Sequence, residues 1–245
     1  MIQCSFQRYE KKYLLTPAQY EAVRAGMQSY MTPDAYSKYT ICNVYYDTDD
    51  FRLIRTSLEK PVYKEKLRVR SYGTVNDAGR VFVELKKKFD GVVYKRRVVM
   101  EAADAVAYLA GREPGDDTQI FREIDWFMHS YQPAPKVFIA YDREAFAGTG
   151  NPDLRVTFDT RLRGRTEHVD LRSGDYGQSI LGGNQILMEI KIPGAAPLWL
   201  ARLLSDNHIV STSFSKYGAY YKRYILTRQT APAAYSYQKE VLSVA

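Results

Sequence analysis

Residues 63–72 read Tyr-Lys-Glu-Lys-Leu-Arg-Val-Arg-Ser-Tyr, and four of the charges in this stretch fall on every second position. Lys64, Lys66, Arg68 and Arg70 take alternate positions, while Tyr63, Leu67 and Val69 fall between them with Glu65. Successive side chains of a β-strand point to opposite faces, so the segment reads as a strand with one continuously cationic face and one mostly apolar face. The pattern recurs. In Arg80–Lys88, Glu84, Lys86 and Lys88 oppose Val81, Val83 and Leu85. In Leu154–Arg165, Arg155, Thr157, Asp159, Arg161, Arg163 and Arg165 oppose Val156, Phe158 and Leu162. Ile186–Pro193 sets Glu189 and Lys191 against Met188, Ile190 and Ile192, and the first strand aligns Arg8, Glu10 and Lys12.

Alternation along the rest of the chain predicts eight strands, near Ser5–Leu15, Ile41–Asp47, Tyr63–Tyr72, Arg80–Lys88, Val92–Glu101, Lys136–Phe146, Leu154–Arg165 and Ile186–Pro193. Helical periodicity marks Pro17 to about Tyr30, with Thr16 as N-cap and Pro17 at the first helical position, and further helices at Ala102–Ala110, Ile120–Tyr131, Pro197–Asp206 and Lys216–Leu226. The class is α+β, dominated by one antiparallel sheet. A half-exposed sheet explains one such strand. A basic face repeated over five strands points to a sheet closed on itself, with the charges turned into a wet lumen and the apolar face packed outward on helices. Dry burial of so many cations would cost several kcal/mol per ion, so the lumen is expected to hold an anion. Converging Arg and Lys suit phosphate, because guanidinium groups chelate its oxygens and lysine supplies point charge.

The rest of the sequence narrows the reading. The chain has 245 residues, 35 Lys+Arg against 28 Asp+Glu and a formal net charge of +7, an ordinary globular composition with a lean toward anionic partners. No linker divides it, so 1–245 reads as one domain, with the Gly- and Ser-rich stretch 173–184 as a surface excursion. Cys4 and Cys42 lack metal or disulfide spacing. With no apolar run of about 20 residues and no apolar signal core, a cytoplasmic protein without a membrane segment is expected. His129, His168 and His208 are scattered and read as structural or surface residues. There is no P-loop motif, and Gly182-Gly183 reads as a turn. The 21 Tyr keep nucleic acid in view, but no helix-turn-helix, zinc-finger or RNP-type motif is present, and Tyr45, Tyr46 and Tyr141 read as strand packing. Asp49-Asp50 and Asp116-Asp117 read as loop carboxylates, and the Arg161/Arg163/Arg165 extension as a structural run reaching a tunnel mouth.

Taken in order, the motifs RYEKKY (8–13), YYDT (45–48), KLRVRSYG (66–73), VFVELKKK (81–88), YKRR (94–97), YDREAF (141–146), RVTFDT (155–160), MEIK (188–191) and SFSKYG (213–218) give the chain a family likeness. From Phe6 to about Tyr224 it resembles the polyphosphate polymerase (VTC) domain of the triphosphate tunnel metalloenzyme, or CYTH-like, superfamily. The resemblance implies an eight-stranded antiparallel barrel, the triphosphate tunnel, flanked by helices. It implies that Lys12, Arg68, Arg70, Lys86 and Lys95 bind triphosphate, that Arg143 and Arg155 contact further phosphates, and that Ser215 and Lys216, a Ser-Lys pair at the start of the C-terminal helix, join the triphosphate-binding set, where the helix N-terminus would add its own affinity for anions. It also implies that Glu189 ligates a divalent metal, Mn²⁺ or Mg²⁺, with Tyr141 near the tunnel. By alternation Arg8, Glu10, Lys66, Glu84, Lys88 and Lys191 are additional lining candidates. Hydrolytic members of the superfamily carry E-x-E-x-K on the first strand. Here Arg8-x-Glu10-x-Lys12 replaces the first glutamate, weakening the case for a two-metal site that activates water, although Glu10, Glu84 and Glu189 remain as carboxylates.

The expected activity is therefore metal-dependent transfer of the γ-phosphate of ATP to pyrophosphate or a growing polyphosphate chain. Hydrolysis of tripolyphosphate or nucleoside triphosphates on the same tunnel is the alternative, and a non-catalytic polyphosphate-binding module the third. The resemblance implies that the polymer is sometimes passed to a membrane, which here would need a separate partner chain. No nucleic-acid partner is expected.

Overall fold

The computed structural model of the chain describes residues 8–230, apart from residue 91 and residues 114–116. Cys4, the predicted start of the first strand before Arg8, the Arg8 side chain and Asp116 lie outside the described residues. The elements are β1 (Arg8–Leu15), α1 (Pro17–Gly26), β2 (Met31–Asp47), α2 (Arg52–Leu58), β3 (Tyr63–Tyr72), β4 (Arg80–Phe89) and β5 (Val92–Glu101). They continue as α3 (Ala102–Leu109), α4 (Gln119–Tyr131), β6 (Ala134–Gly148), β7 (Arg155–Arg165), β8 (Gln178–Ser179), β9 (Ile186–Pro193) and α5 (Leu198–Asp206). The last helix, α6 (Lys216–Tyr220), runs through a π-helical stretch, Tyr221–Leu226, into α7 (Thr227–Thr230).

The sheet order is β1-β9-β7-β6-β2-β3-β4-β5, every ladder antiparallel, with β8 attached to β7. The alternating faces are realised as expected. On the convex side, Cys42, Val44, Leu67, Val69, Val81, Val83 and Leu85 pack on Ala105 and Leu109 of α3 and on Ile124 and Phe127 of α4. Val156, Phe158, Met188 and Ile190 pack on Val23 and Met27 of α1 and Leu200 of α5. Burying such side chains contributes about 1.5–3 kcal/mol each, which gives the sheet its curvature-holding outer layer.

Four expectations are corrected. The barrel is not closed by hydrogen bonds: among the described residues no ladder joins β1 to β5, the two ends of the strand order. Residues 212–216 lie along the β1 side of this seam, where Thr212 N donates to Lys12 O at 2.7 Å. β2 starts at Met31, well before Ile41, and its register shifts between Pro33 and Lys38, next to a proline that donates no ladder bond and interrupts the alternation on which the boundary was read. Helix α2, unforeseen, is nucleated by Asp47, whose carboxylate accepts from Leu53 N at 2.9 Å and Ile54 N at 3.0 Å. The β6–β7 register shifts between Ala140 and Asp142, opposite Arg161 with its φ of 48°. A bulge flips the alternation. Leu162 therefore joins the concave core, while Arg163 bonds Asp142 and Asp175 and Arg165 lies over the Phe138 ring, away from the lumen.

The lumen is also only partly polar. Tyr217, Tyr220, Tyr221 and Ile225 of the last helix pack into the concave face against Tyr45, Val137, Ile139 and Leu187. Gly164 fits beneath this helix, since a Cβ there would stand 2.7 Å from the Tyr220 ring. What remains of the concave face is the polar groove.

Candidate active site

The register of the ladders assembles the groove. Lys12 of β1 sits opposite Glu189 of β9, which sits opposite Thr157 of β7. Arg143 of β6 faces Asp159 of β7 and Tyr39 of β2. Asn43 and Tyr45 of β2 face Arg70 and Arg68 of β3. Arg68 faces Glu84 and Lys66 faces Lys86 on β4, and Lys86 faces Lys95 on β5. All are on the concave side.

Two ion-pair clusters result. In the first, Lys216 Nζ lies 2.8 Å from Glu189 Oε1 and 2.6 Å from Asp159 Oδ2. Arg143 grips Asp159 with Nε at 2.6 Å and Nη2 at 2.7 Å, and reaches Glu189 at 3.5 Å. Lys12 Nζ donates to Phe214 O at 3.1 Å and lies 3.4 Å from Glu10 and 3.8 Å from Glu189. The Tyr141 ring carries Lys216 at 4.4 Å and Arg143 at 5.2 Å. In the second, the carboxylate of Glu84 takes Arg68 at 2.8 Å, Lys95 at 2.5 Å and Arg70 at 3.6 Å. Arg68 also donates to Tyr45 Oη at 3.3 Å and Arg70 to Asn43 Oδ1 at 3.1 Å. Between the clusters, Lys66 Nζ lies 3.4 Å from Ser215 Oγ. Ser215 caps the last helix, accepting from Gly218 N at 3.2 Å, so that donor is used within the protein.

The charges are tuned by this crowding. Burial alone would raise the Glu84 carboxyl, but Arg68, Arg70 and Lys95 overcome it and hold it at about 2. Burial likewise opposes, and Lys216, Lys12 and Arg143 outweigh it, so Glu189 stays ionised well below the usual range. Glu10 is lowered against its own desolvation chiefly by Lys12. Tyr141 is lowered too, its burial outweighed by Arg70, Arg143 and Lys216. Lys66 goes the other way. Burial, then the like charges of Lys64, Lys86, Lys12 and Arg68, push it down to about 7, and no carboxylate pairs with it among the described residues.

Of the sequence candidates, Lys12, Arg68, Arg70, Lys95, Arg143, Ser215, Lys216, Glu189, Glu10, Glu84, Lys66 and Tyr141 are brought into contact with one another. Lys86 joins them through the charges of Glu10, Lys12, Arg68 and Glu189. Three stand apart. Arg155 is bound to Asp34. Lys88 faces Lys64 at one end of β3 and β4, and Lys191 lies between Glu10 and Arg155 on the β1 and β7 sides. Asp159, fully buried and holding both Arg143 and Lys216, was not singled out from sequence; its place on the charged face of the RVTFDT strand was the available signal. Tyr45 is a groove residue as well as a packing one, stacked on Tyr217 at 4.9 Å.

Among the described residues no three His, Cys, Asp or Glu side chains gather into a metal cage. The donor set fits a divalent ion of another kind. Mg²⁺-like ions are commonly held by one or two carboxylates and completed by substrate phosphates, and Glu189 with Glu10, both beside Lys12, are the carboxylates that would hold such an ion.

No helix among the described residues is long and apolar enough to cross a membrane. The chain is 26% identical over 158 residues to vacuolar transporter chaperone complex subunit 4 of Schizosaccharomyces pombe, an alignment covering 55% of this chain and 22% of that protein. The chain thus matches less than a quarter of that relative's length. Its fold is similar to that of a Bacillus halodurans protein proposed to be an adenylate cyclase, with a TM-score of 0.55 at 14% identity, over 88% of this chain and 96% of the other. The model of the VTC domain matches residues 7–225, and the chain, with its basic groove on a curled antiparallel sheet, belongs to the VTC domain family.

Proposed function

We propose that the protein is an ATP:polyphosphate phosphotransferase that extends pyrophosphate or polyphosphate. The observation that carries the proposal is the imbalance of the groove: Lys12, Lys66, Arg68, Arg70, Lys86, Lys95 and Arg143 of the concave face, with Lys216 reaching in from the last helix, outnumber Glu10, Glu84, Asp159 and Glu189. Such a surface calls for a multiply charged linear anion. Membership of the VTC family and the likeness to a subunit of a vacuolar transporter chaperone complex support polyphosphate chemistry.

In the proposed reaction a terminal oxygen of the acceptor chain attacks the γ-phosphorus of ATP. A new P–O bond forms, the bond between the γ-phosphorus and the β,γ-bridging oxygen breaks, and ADP leaves with that oxygen. Positioning and charge neutralisation supply most of the acceleration in phosphoryl transfer. Arg143 and Lys216, anchored by Asp159, and Arg68, anchored by Glu84, are fixed dipoles and charges that need no rearrangement as the equatorial oxygens gain charge. A divalent ion at Glu189 and Glu10 would screen repulsion between donor and acceptor phosphates.

The carboxylates favour transfer over hydrolysis. Glu10, Glu84 and Glu189 are all held below their usual pKa by adjacent cations, which makes each a poor base toward water. An acceptor phosphate is already an oxyanion and needs no base. The test is incubation with ATP, Mn²⁺ and a trace of pyrophosphate, with products resolved on a polyphosphate gel beside ADP and free-phosphate assays. A ladder with ADP and little free phosphate is expected. Free phosphate without a ladder would assign hydrolysis instead.

A further inference from the structure

The two ends of the groove differ in chemistry. Two positions beyond Arg70, β3 ends in Tyr72 on the same concave face. Its ring meets Tyr39 of β2 at 5.5 Å and Phe82 of β4 at 5.7 Å, both edge-to-face. Arg97 of β5 lies over the Phe82 ring at 5.2 Å. Tyr39 sits opposite Arg143 and Phe82 opposite Arg70, so this aromatic group adjoins the guanidinium end of the groove. The other end has Lys64 opposite Lys88, and Lys64 is depressed by burial and then by Lys88 and Lys60. Cross-strand aromatic pairs often serve only to hold strands together. Tyr72, however, is 53% exposed, which is a poor use of a large ring for packing.

We propose that Tyr72, with Tyr39 and Phe82 beside it, forms the subsite for the base of the nucleoside triphosphate, an inference that rests on ATP being the donor. The spacing suits it. Two residues of strand advance about 6.6–6.8 Å, roughly the reach from an α-phosphate across ribose to a base. A base offers a flat π-face that an exposed tyrosine can stack on, whereas an inorganic phosphate chain offers none. With the base at Tyr72 and the α-phosphate at Arg70, the triphosphate runs toward Arg68 and Lys66, and the acceptor chain occupies the side leading to Lys64 and Lys88.

The test compares ATP with inorganic tripolyphosphate on the same protein, by calorimetric binding without turnover. Alanine substitution of a base-stacking aromatic typically costs about 1–3 kcal/mol, so Tyr72→Ala is expected to weaken ATP about fivefold or more while tripolyphosphate changes less than about twofold. Retained tripolyphosphate affinity also shows that the variant is folded. Tyr72→Trp is expected to keep ATP affinity, and Phe82→Leu to weaken ATP selectively as Tyr72→Ala does. Equal losses for both ligands, or an unchanged affinity for ATP, would overturn the subsite. The outcomes separate cleanly from the polymerase reading: selective loss of ATP in a protein that makes no polymer would retain the subsite and reject the activity. Normal polymer formation from ATP with an unmoved ATP-to-tripolyphosphate ratio would do the reverse.

Discussion

Lys66 provides the sharpest quantitative expectation. In the ligand-free groove its ammonium is held at about 7, first by burial and then by Lys64, Lys86, Lys12 and Arg68. A bound tripolyphosphate supplies the missing counter-charge and returns the group toward the ordinary lysine value of about 10.4, so binding must be accompanied by proton uptake at any pH where the free group is partly neutral. A group with a pKa of about 7 is about 0.9 deprotonated at pH 8 and about 0.1 at pH 6. Uptake at this site should therefore be about 0.9 proton at pH 8 and about 0.1 at pH 6. Integrated over that interval, affinity falls about tenfold from pH 6 to pH 8, about 1.4 kcal/mol, through this group alone. The sign follows from a depressed lysine pKa: the empty native state disfavours the charged form, and its stability recovers as pH rises from about 7 toward the unfolded value. Calorimetry in two buffers of different ionisation enthalpy counts the protons. The ligand's own titration is removed by repeating the series with Lys66→Met, and the difference is the lysine contribution. Equal proton uptake by wild type and Lys66→Met at pH 8 would refute the assignment of Lys66 as an unpaired, depressed cation awaiting an anion.

Other expectations follow from the same geometry. Asp159→Asn removes the buried charge that holds Arg143 and Lys216, so unfolding in denaturant should show a loss of about 3–5 kcal/mol, and added tripolyphosphate should restore more stability to the variant than to wild type. If the ligand-induced gain is equal in both, Asp159 does not balance the phosphate-facing cations. Asp47→Ala strips acceptors from Leu53, Ile54 and Tyr217 at once, and a loss of about 2 kcal/mol or more is expected in chemical denaturation with the phosphate-binding constant little changed. Glu189→Ala should lose divalent-dependent turnover while binding tripolyphosphate at least as well as wild type in the absence of metal; full activity in this variant would reject Glu189 as a metal ligand.

The strand faces were readable because most charges on β3, β4 and β9 fall on alternate positions, with Glu65 and Lys87 the exceptions on the outer face, and a period of two maps directly onto a sheet with one mostly apolar side. Reading failed where alternation is broken by backbone rather than by side-chain chemistry. Pro33 and the register shift after it hid the first part of β2, and the bulge at Arg161 moved Arg163 and Arg165 to the convex side although their spacing continues the charged series. Asp159 stayed unremarked because its importance depends on Arg143 and Lys216, whose proximity is set by the β6–β7 ladder and by the last helix entering the concave face. No local pattern announces that entry: the Tyr-rich stretch 217–224 reads equally well as an outer helix. Arg155 was expected on phosphate from family likeness, whereas here it is bound to Asp34, a partner contributed by the unforeseen part of β2.

That no ladder joins β1 to β5 among the described residues has a mechanical consequence. A hydrogen-bonded cylinder has a fixed circumference, and widening it means breaking backbone bonds. A curled sheet whose edge strands are not laddered to each other can change its bore by flexing, so electrostatic pressure sets the gap: mutual repulsion of Lys66, Lys86 and Lys12 spreads the margins, and a polyanion between them draws the margins in. Labels at Lys11 and Tyr94, on the outer faces of β1 and β5, should therefore approach one another on addition of tripolyphosphate, and the change should fade at high ionic strength. A separation that ignores the anion would mean that the bore is held by its outer helices instead.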